Sequence, residues 1–232
     1  MERKKYLVVT AGGTGTRMGA AVPKQFLELD GVPILRRTIE VFLKAIPDIQ
    51  VITVLPEGHV AYWRQYCLQA NFVCPQRLVK GGFTRFHSVK NALKYVPDGA
   101  LVAVQDGVRP LISVDKIREL FKAAEKAPAV IPVLPVTDTL KVLEKRGGAL
   151  AATGETLDRS RIYGAQTPQV FQSEVLKAAY TLQFDTTFTD DASVAERYGI
   201  ALTFCEGERF NLKITTPEDL ILARAIIQSR PV

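Results

Sequence analysis

Short apolar runs alternate with amphipathic stretches along most of the chain. Runs at residues 6–11, 50–55, 101–105, 129–133 and 201–205 are rich in Val, Ile, Leu and Ala and predict strands. Residues 33–45, 59–70, 84–95 and 114–126 between them read as helices. In the first, Pro33 fits a first helical position, and Leu35, Ile39, Phe42 and Leu43 fall on one face. Strand–helix alternation of this kind predicts an α/β fold, a doubly wound, mostly parallel sheet covered on both faces. Ligands of such sheets bind at the carboxyl ends of strands, and most of the polar motifs below follow a strand candidate.

From Pro135 the alternation breaks down. Residues 136–142 read as an extended segment, Lys145-Arg146-Gly147-Gly148 as a turn, and 157–159 as a returning segment. The pattern predicts one domain over residues 1–232 with an arm at 136–163. A two-stranded ribbon needs support, either from its own subunit or from a partner, and the expectation is a homodimer with interlocked arms. Near the end, Thr216-Pro217-Glu218-Asp219 is a helix start, and the helix that follows reads as packing only.

Composition sharpens this picture. With 47% apolar and 23% charged residues in 232, a sizeable core needs no metal or disulfide. No apolar run approaches the ~20 residues of a membrane helix, and the basic start is not followed by a signal peptide's apolar stretch. Cys67, Cys74 and Cys205 form no Cys-x-x-Cys pair and read as thiols of a reducing, cytoplasmic compartment. The net charge of +6 is dispersed, without the aromatic interleaving of a nucleic-acid platform. It suits an anionic small substrate, with no membrane or nucleic-acid partner.

The chemistry concentrates at a few places. Ala11-Gly12-Gly13-Thr14-Gly15-Thr16-Arg17-Met18, followed by Pro23-Lys24-Gln25, brings three glycines and two cations to the end of the first strand. Backbone N–H groups without Cβ shielding make an anion cradle, so the reading is a polyphosphate site. It is neither the ATPase phosphate loop, which needs a following Lys-Ser or Lys-Thr, nor the dinucleotide fingerprint, since Met18 stands where a third glycine belongs. Gly81-Gly82-Phe83-Thr84 opens a helix carrying Ser88, which fits either a planar hydrogen-bonding ligand or an ordinary Thr84 cap. Asp106 and Arg109 end another strand. A carboxylate can accept from hydroxyls and a guanidinium can face phosphate; the alternative is a local surface pair. Lys213 precedes the last helix at the end of a short extended run, as a ligand group or a solvated lysine. His59 and His87, the two histidines, read as structural. Asp190 and Asp191 begin a helix where adjacent side chains diverge, with no third ligand, so no protein metal site is predicted.

The glycine loop and Pro23-Lys24-Gln25 resemble sugar-phosphate nucleotidylyltransferases, and within them the 2-C-methyl-D-erythritol 4-phosphate cytidylyltransferases. The resemblance continues through Gly81-Gly82 and Ser88, Asp106-x-x-Arg109-Pro110, Gln166-Thr167-Pro168-Gln169, Thr189-Asp190-Asp191-Ala192-Ser193 and the Lys213 segment. Gln105, Gly107 and Val108 depart from the family's His-Asp-Ala-Ala-Arg-Pro. The resemblance implies a Rossmann-like nucleotidyltransferase fold and transfer of a cytidylyl group from CTP, with Mg²⁺ held mainly through the triphosphate. It implies Arg17, Lys24 and Lys213 as catalytic cations. Ala11, Gly12, Gly13, Thr14, Gly15, Gly81, Gly82 and Ser88 would bind CTP. Asp106, Arg109, Thr139, Arg159, Thr167 and Thr189 would bind the acceptor, Thr139 and Arg159 across the dimer. A ribitol 5-phosphate cytidylyltransferase is the nearest alternative, sharing the glycine loop and the Asn-x-Lys-Ile-Thr-Thr-Pro ending. A nicotinamide-dependent dehydrogenase is a distant one.

Overall fold

A computed structural model describes residues 3–12 and 23–229. The glycine-loop residues Gly13, Thr14, Gly15, Thr16, Arg17 and Met18 lie outside these. In order, the elements are β1 (Lys5–Thr10), β2 (Glu28–Leu29), β3 (Val32–Pro33), α1 (Ile34–Ala45), β4 (Gln50–Leu55), α2 (Val60–Gln69) and β5 (Gln76–Lys80). There follow α3 (Arg85–Leu93), β6 (Leu101–Asp106), α4 (Val114–Ala124), β7 (Ala129–Pro135), β8 (Leu143–Arg146), β9 (Ala149–Ala152), β10 (Tyr163–Ala165) and β11 (Gln169–Gln172). The chain ends with α5 (Ser173–Ala179), α6 (Asp191–Arg197), β12 (Thr203–Glu206) and α7 (Pro217–Ser229).

The main sheet runs β10-β7-β11-β6-β1-β4-β5, with β12 also paired to β7. Strands β6, β1, β4 and β5 are parallel neighbours, as is the β12–β7 pair. The sheet is mixed, however: β11 enters antiparallel between β6 and β7, and β10 is antiparallel to β7. The alternation rule misses β11 and β10 because each is short and follows a loop instead of a crossover helix.

Pleating distributes each central strand between two cores. Leu7 and Val9 of β1, Val51 and Leu55 of β4, and Leu101 and Ala103 of β6 pack with Leu35, Ile39 and Phe42 of α1 and Ile117 and Leu120 of α4. Val8, Ile52, Val54, Val102 and Val104 face the opposite layer, with Phe86 and Val89 of α3, Leu176 of α5 and Val194 of α6. Such strands read as continuous apolar runs because both faces are dry. A third, smaller core joins Leu29, Ile34, Val108, Leu111, Ile214 and Ala223, seating α7 beneath the loop after β6.

Local differences from the sequence reading have physical causes. Pro33 is the N-cap of α1 and closes the β2–β3 hairpin, so the helix begins one residue later. The arm's paired strands are β8 and β9, joined at Gly147-Gly148, both with positive φ. Residues 136–142 are not a strand, and Arg159 opens a 3-10 turn with Asp158 as its cap. Lys213 does not end a strand either. Ile214 is fully buried and its N–H donates to Val108 O at 2.9 Å, which plants the loop and lets Lys213 reach over the sheet end to Asp106.

At the start of α7 the Asp219 carboxylate accepts from Thr215 N (2.7 Å), Thr215 Oγ1 (2.8 Å) and Thr216 N (2.8 Å). These bonds hold the carboxyl below its usual range, against the opposing effect of burial. Asp219→Ala should cost about 1–2 kcal/mol, the range for a lost helix cap. Urea unfolding followed by circular dichroism checks this, with native helicity retained before the transition.

Candidate active site

The carboxyl ends of β1, β5 and β6 open into a cleft, with Thr10 and Asp106 side by side in register. One chamber, ≈ 400 Å³, is lined by Ala11, Gly12, Lys24, Gln25, Gly82, Phe83, Thr84 and Ser88. A second, ≈ 290 Å³, is lined by Arg109, Thr167, Gln169, Thr189 and Asp190. Arg85, Asp106 and Lys213 line both and form the wall between them.

The first chamber is built on backbone. Ala11 N–H donates to Val54 O (2.9 Å), and its carbonyl accepts from the buried Gln25 amide (2.7 Å), so the strand end and the Lys24–Phe26 turn are tied together. Phe26 packs on His59, Tyr62 and Trp63, fixing the turn that carries Lys24. Thr84 caps α3 by accepting from His87 N. Ser88 Oγ donates to Thr84 O (2.9 Å) and accepts from Gly82 N (3.0 Å), closing the loop over the helix start. Gly82 has no room for a side chain: a Cβ there would sit 2.4 Å from His87 Cβ. Gly81 meets Leu55 O and Ser88 Oγ closely and donates to Leu55 O at 2.7 Å. The cap reading of Thr84 is therefore right, and the same bonds leave the first chamber walled by glycines. Phe83 stands fully exposed on its rim.

The wall is electrostatic. Asp106 faces Lys213 Nζ at 2.8 Å, Arg85 Nε at 3.5 Å and Arg109 Nε at 3.7 Å. Burial pushes its carboxyl up, but Arg85, Lys213 and Arg109 together outweigh that and hold it far below the usual carboxylate range. Its N–H donates to Thr167 Oγ1 (3.1 Å), which fixes the strand end against the β10–β11 loop. Arg109 donates through Nη1 to Asn211 O (2.7 Å), and Asn211 Nδ2 donates to Thr167 O (2.8 Å). Burial draws the Arg109 guanidinium down despite Asp106. Gln166 joins the same loops, donating to Glu208 O and accepting from Glu208 N. Gly107 is closely packed as well: a Cβ there would lie 3.1 Å from Thr10 O and 3.2 Å from Leu35 Cδ1.

The structure thus gathers Ala11, Gly12, Lys24, Gly81, Gly82, Ser88, Asp106, Arg109, Thr167, Thr189 and Lys213 around one cleft. It does not bring in Thr139 and Arg159. Both are exposed on the arm, and Arg159 Nη1 donates to Thr137 O (2.8 Å) instead. Gly13, Thr14, Gly15 and Arg17 fall among residues 13–22, outside the described structure. The residue that sequence reasoning missed is Arg85, three positions after Gly82. Its signal was a lone cation on the α3 face that points back over the sheet. Its importance depends on Asp191, 106 residues away, which accepts from Arg85 Nη2 at 2.6 Å.

A family model described as 2-C-methyl-D-erythritol 4-phosphate cytidylyltransferase matches residues 6–229. The chain is similar to proteins of that name from Azobacteroides pseudotrichonymphae (46% identical, covering 97% of this chain and 99% of the relative). The relative from Porphyromonas gingivalis is 45% identical and covers 99% and 100%. Among solved structures it resembles the 4-diphosphocytidyl-2C-methyl-D-erythritol synthase of Anaerococcus prevotii, with a TM-score of 0.78, 27% identity and coverage of 97% and 96%. The 2-C-methyl-D-erythritol 4-phosphate cytidylyltransferase of Thermus thermophilus gives 0.73, 30% identity and coverage of 97% and 99%.

The folded-state pKa of Asp106 lies below its unfolded value, so its stabilisation is complete above the unfolded pKa and is lost as pH falls through the folded one. Asp106→Asn leaves three cations facing one another. It should cost about 2 kcal/mol near neutrality, at the low end for a broken buried pair because Lys213 is partly exposed. Urea midpoints should differ most near pH 7 and begin to converge only below about pH 4, closing as pH falls towards the much lower folded-state value.

Proposed function

Since the chain belongs to the 2-C-methyl-D-erythritol 4-phosphate cytidylyltransferase family, we propose that the two chambers hold CTP and the acceptor phosphate and meet at Lys213. The enzyme is a nucleotidyltransferase of isoprenoid biosynthesis. It joins CTP and 2-C-methyl-D-erythritol 4-phosphate, and family membership favours this acceptor over ribitol 5-phosphate and this reaction over hydride transfer.

The observation that supports the residue roles is the position of Lys213 on the wall shared by both chambers. The glycine-walled chamber takes the nucleotide: Gly81, Gly82 and Ser88 present backbone and hydroxyl groups to the base, and Ala11 and Gly12 lead into the phosphate loop with Gly13, Thr14 and Gly15. Lys24 reaches the triphosphate from its aromatic-backed turn, and Arg17 joins it. The second chamber takes the polyol phosphate. Asp106 accepts from hydroxyls, Arg109 faces phosphate, and Thr167 and Thr189 supply hydroxyls.

The acceptor's phosphate oxygen attacks the α-phosphorus and diphosphate leaves. The nucleophile is already an anion, so the reaction needs no general base. What it needs is in-line placement and neutralised charge, and Lys213 offsets repulsion between the two anions. The carboxylates lining the cleft are already committed, Asp106 to three cations and Asp190 to Gln169 Nε2 and Ser193 N. This donor set suits a Mg²⁺ ion carried in on triphosphate oxygens, where it would neutralise charge on the leaving group.

The β8–β9 ribbon exposes Leu143 and Leu150 and lies off the main sheet. A ribbon of this kind is marginal alone, which supports a homodimer whose arms deliver Thr139 and Arg159 to the neighbouring acceptor chamber. The three cysteines are free thiols, which suits a cytoplasmic location. Among the described residues no helix is long and apolar enough to cross a membrane.

Three experiments test the reading. Diphosphate release with CTP and Mg²⁺ should occur with methylerythritol 4-phosphate and not with ribitol 5-phosphate. Lys24→Ala and Lys213→Ala should each lower kcat by about 100-fold or more while the protein stays folded; full turnover in either variant defeats the assignment. Arg159→Ala and Lys213→Ala subunits, each inactive alone, should recover roughly a quarter of wild-type turnover on mixing, because half the dimers then hold one intact site. No recovery would place Arg159 on its own subunit's site.

A further inference from the structure

Asp106 is served by three cations, but two have other duties. Lys213 is needed at the reacting phosphates, and Arg109 is tied to Asn211 O at 2.7 Å. Arg85 differs. Its guanidinium spans two carboxylates, Nη2 reaching Asp191 at 2.6 Å and Nε reaching Asp106 at 3.5 Å. Asp191 is fully buried and also accepts from Tyr180 Oη at 2.6 Å. It sits at the first turn of α6, whose cap is closed by Asp190 and Ser193 and whose Ala192 N–H donates to Gln169 Oε1 (2.8 Å). Tyr180 is itself stacked on Phe86. The ionic chain Tyr180–Asp191–Arg85–Asp106 therefore runs from the packed interior to the wall between the chambers.

We infer that Arg85 is a positioning residue for the acceptor: tethered on one side by Asp191, it holds Asp106 in place when Lys213 turns to the reacting phosphates. This deepens the reading above and rests on its assignment of Asp106 to the acceptor. Asp106 needs such a holder because Lys213, its shortest contact, is half-exposed and is the cation that the reacting phosphates would draw away. A guanidinium can bridge two carboxylates through separate edges, whereas an ammonium is a single point. Arg85→Lys should therefore fail where a purely electrostatic role would be rescued. The groups facing Asp106 are Arg85 from α3, Arg109 from the loop after β6, Lys213 from the loop before α7, and the Thr167 hydroxyl. The Tyr180 phenol lies behind Asp191, and its ionisation is pushed up by burial and by that carboxylate.

The test uses Arg85→Lys, Arg85→Gln and Asp191→Asn with two readouts. In steady-state kinetics, KM for methylerythritol 4-phosphate should rise about tenfold and kcat fall about 10- to 100-fold, with KM for CTP changing less than about threefold. In carbon NMR of carboxylate-labelled aspartate, with Asp106→Asn for assignment, Asp106 should titrate at higher pH in Arg85→Gln than in the wild type. Asp191→Asn keeps the Arg85 charge, so a change of either readout there reports the tether. Should these variants fail to fold, Tyr180→Phe removes a single hydroxyl and should move KM for the acceptor the same way, by a smaller factor. Folded variants with wild-type acceptor KM and an unmoved Asp106 titration overturn the proposal. A titration that moves while Asp106→Asn leaves acceptor KM unchanged keeps Arg85 as the holder of Asp106 and defeats instead the assignment of Asp106 to the acceptor.

Discussion

A carboxylate buried at the end of a central strand can keep its charge only if cations come to it, and much of this molecule is arranged around bringing them to Asp106. Arg85 arrives on α3, Arg109 from the loop that follows the strand, and Lys213 from a loop seated by Ile214. Each comes from a different element, so the pairing draws three layers of the fold together. Breaking a buried pair costs several kcal/mol because the remaining charge is left uncompensated. The same crowding presents positive charge to two anionic substrates that would otherwise repel each other.

The two chambers differ in how they are made. The chamber proposed for the nucleotide is walled by backbone and glycine and stiffened by an aromatic stack under the Lys24 turn. The chamber proposed for the acceptor is walled by side chains, with Gln166 and Asn211 serving as hydrogen-bonded struts between loops. A backbone wall recognises a planar group by shape and a fixed donor pattern. A side-chain wall can be changed residue by residue, and related enzymes with different acceptors would be expected to diverge there.

The apolar runs made the parallel part of the sheet legible, because strands dry on both faces are nearly continuous in Val, Ile and Leu. Strands β10 and β11 were not legible: three and four residues with polar flanks carry no periodicity, and their pairing is set by the strands that receive them, β7 for β10 and β6 with β7 for β11. The glycine turn at Gly81-Gly82 was visible because tight turns constrain residue type, whereas a site role for Gly82 and Ser88 rested on the family resemblance. Arg85 was not visible, since an arginine on a helix usually means a solvated surface. Only the buried Asp191 distinguishes it, and that contact exists only in three dimensions. The hairpin off the main sheet pairs Leu143–Arg146 with Ala149–Ala152, nearer the Gly147-Gly148 turn than the composition of 136–142 suggested.

The antiparallel insertion of β11 brings the carboxyl-terminal half of the chain onto a cleft begun by the amino-terminal half. Most of the nucleotide chamber comes from the first half of the chain, between Thr10 and Asp106, and its ties are short in sequence, such as Gln25 to Ala11 and Ser88 to Gly82. The acceptor chamber closes only through distant partners, Arg85 with Asp191 and Arg109 with Asn211, more than a hundred residues apart in each case. Contacts of such separation carry a larger loop-closure cost than local ones. The chamber proposed for CTP thus rests mainly on local ties, whereas the one proposed for the acceptor depends on the carboxyl-terminal half of the chain, Lys213 included.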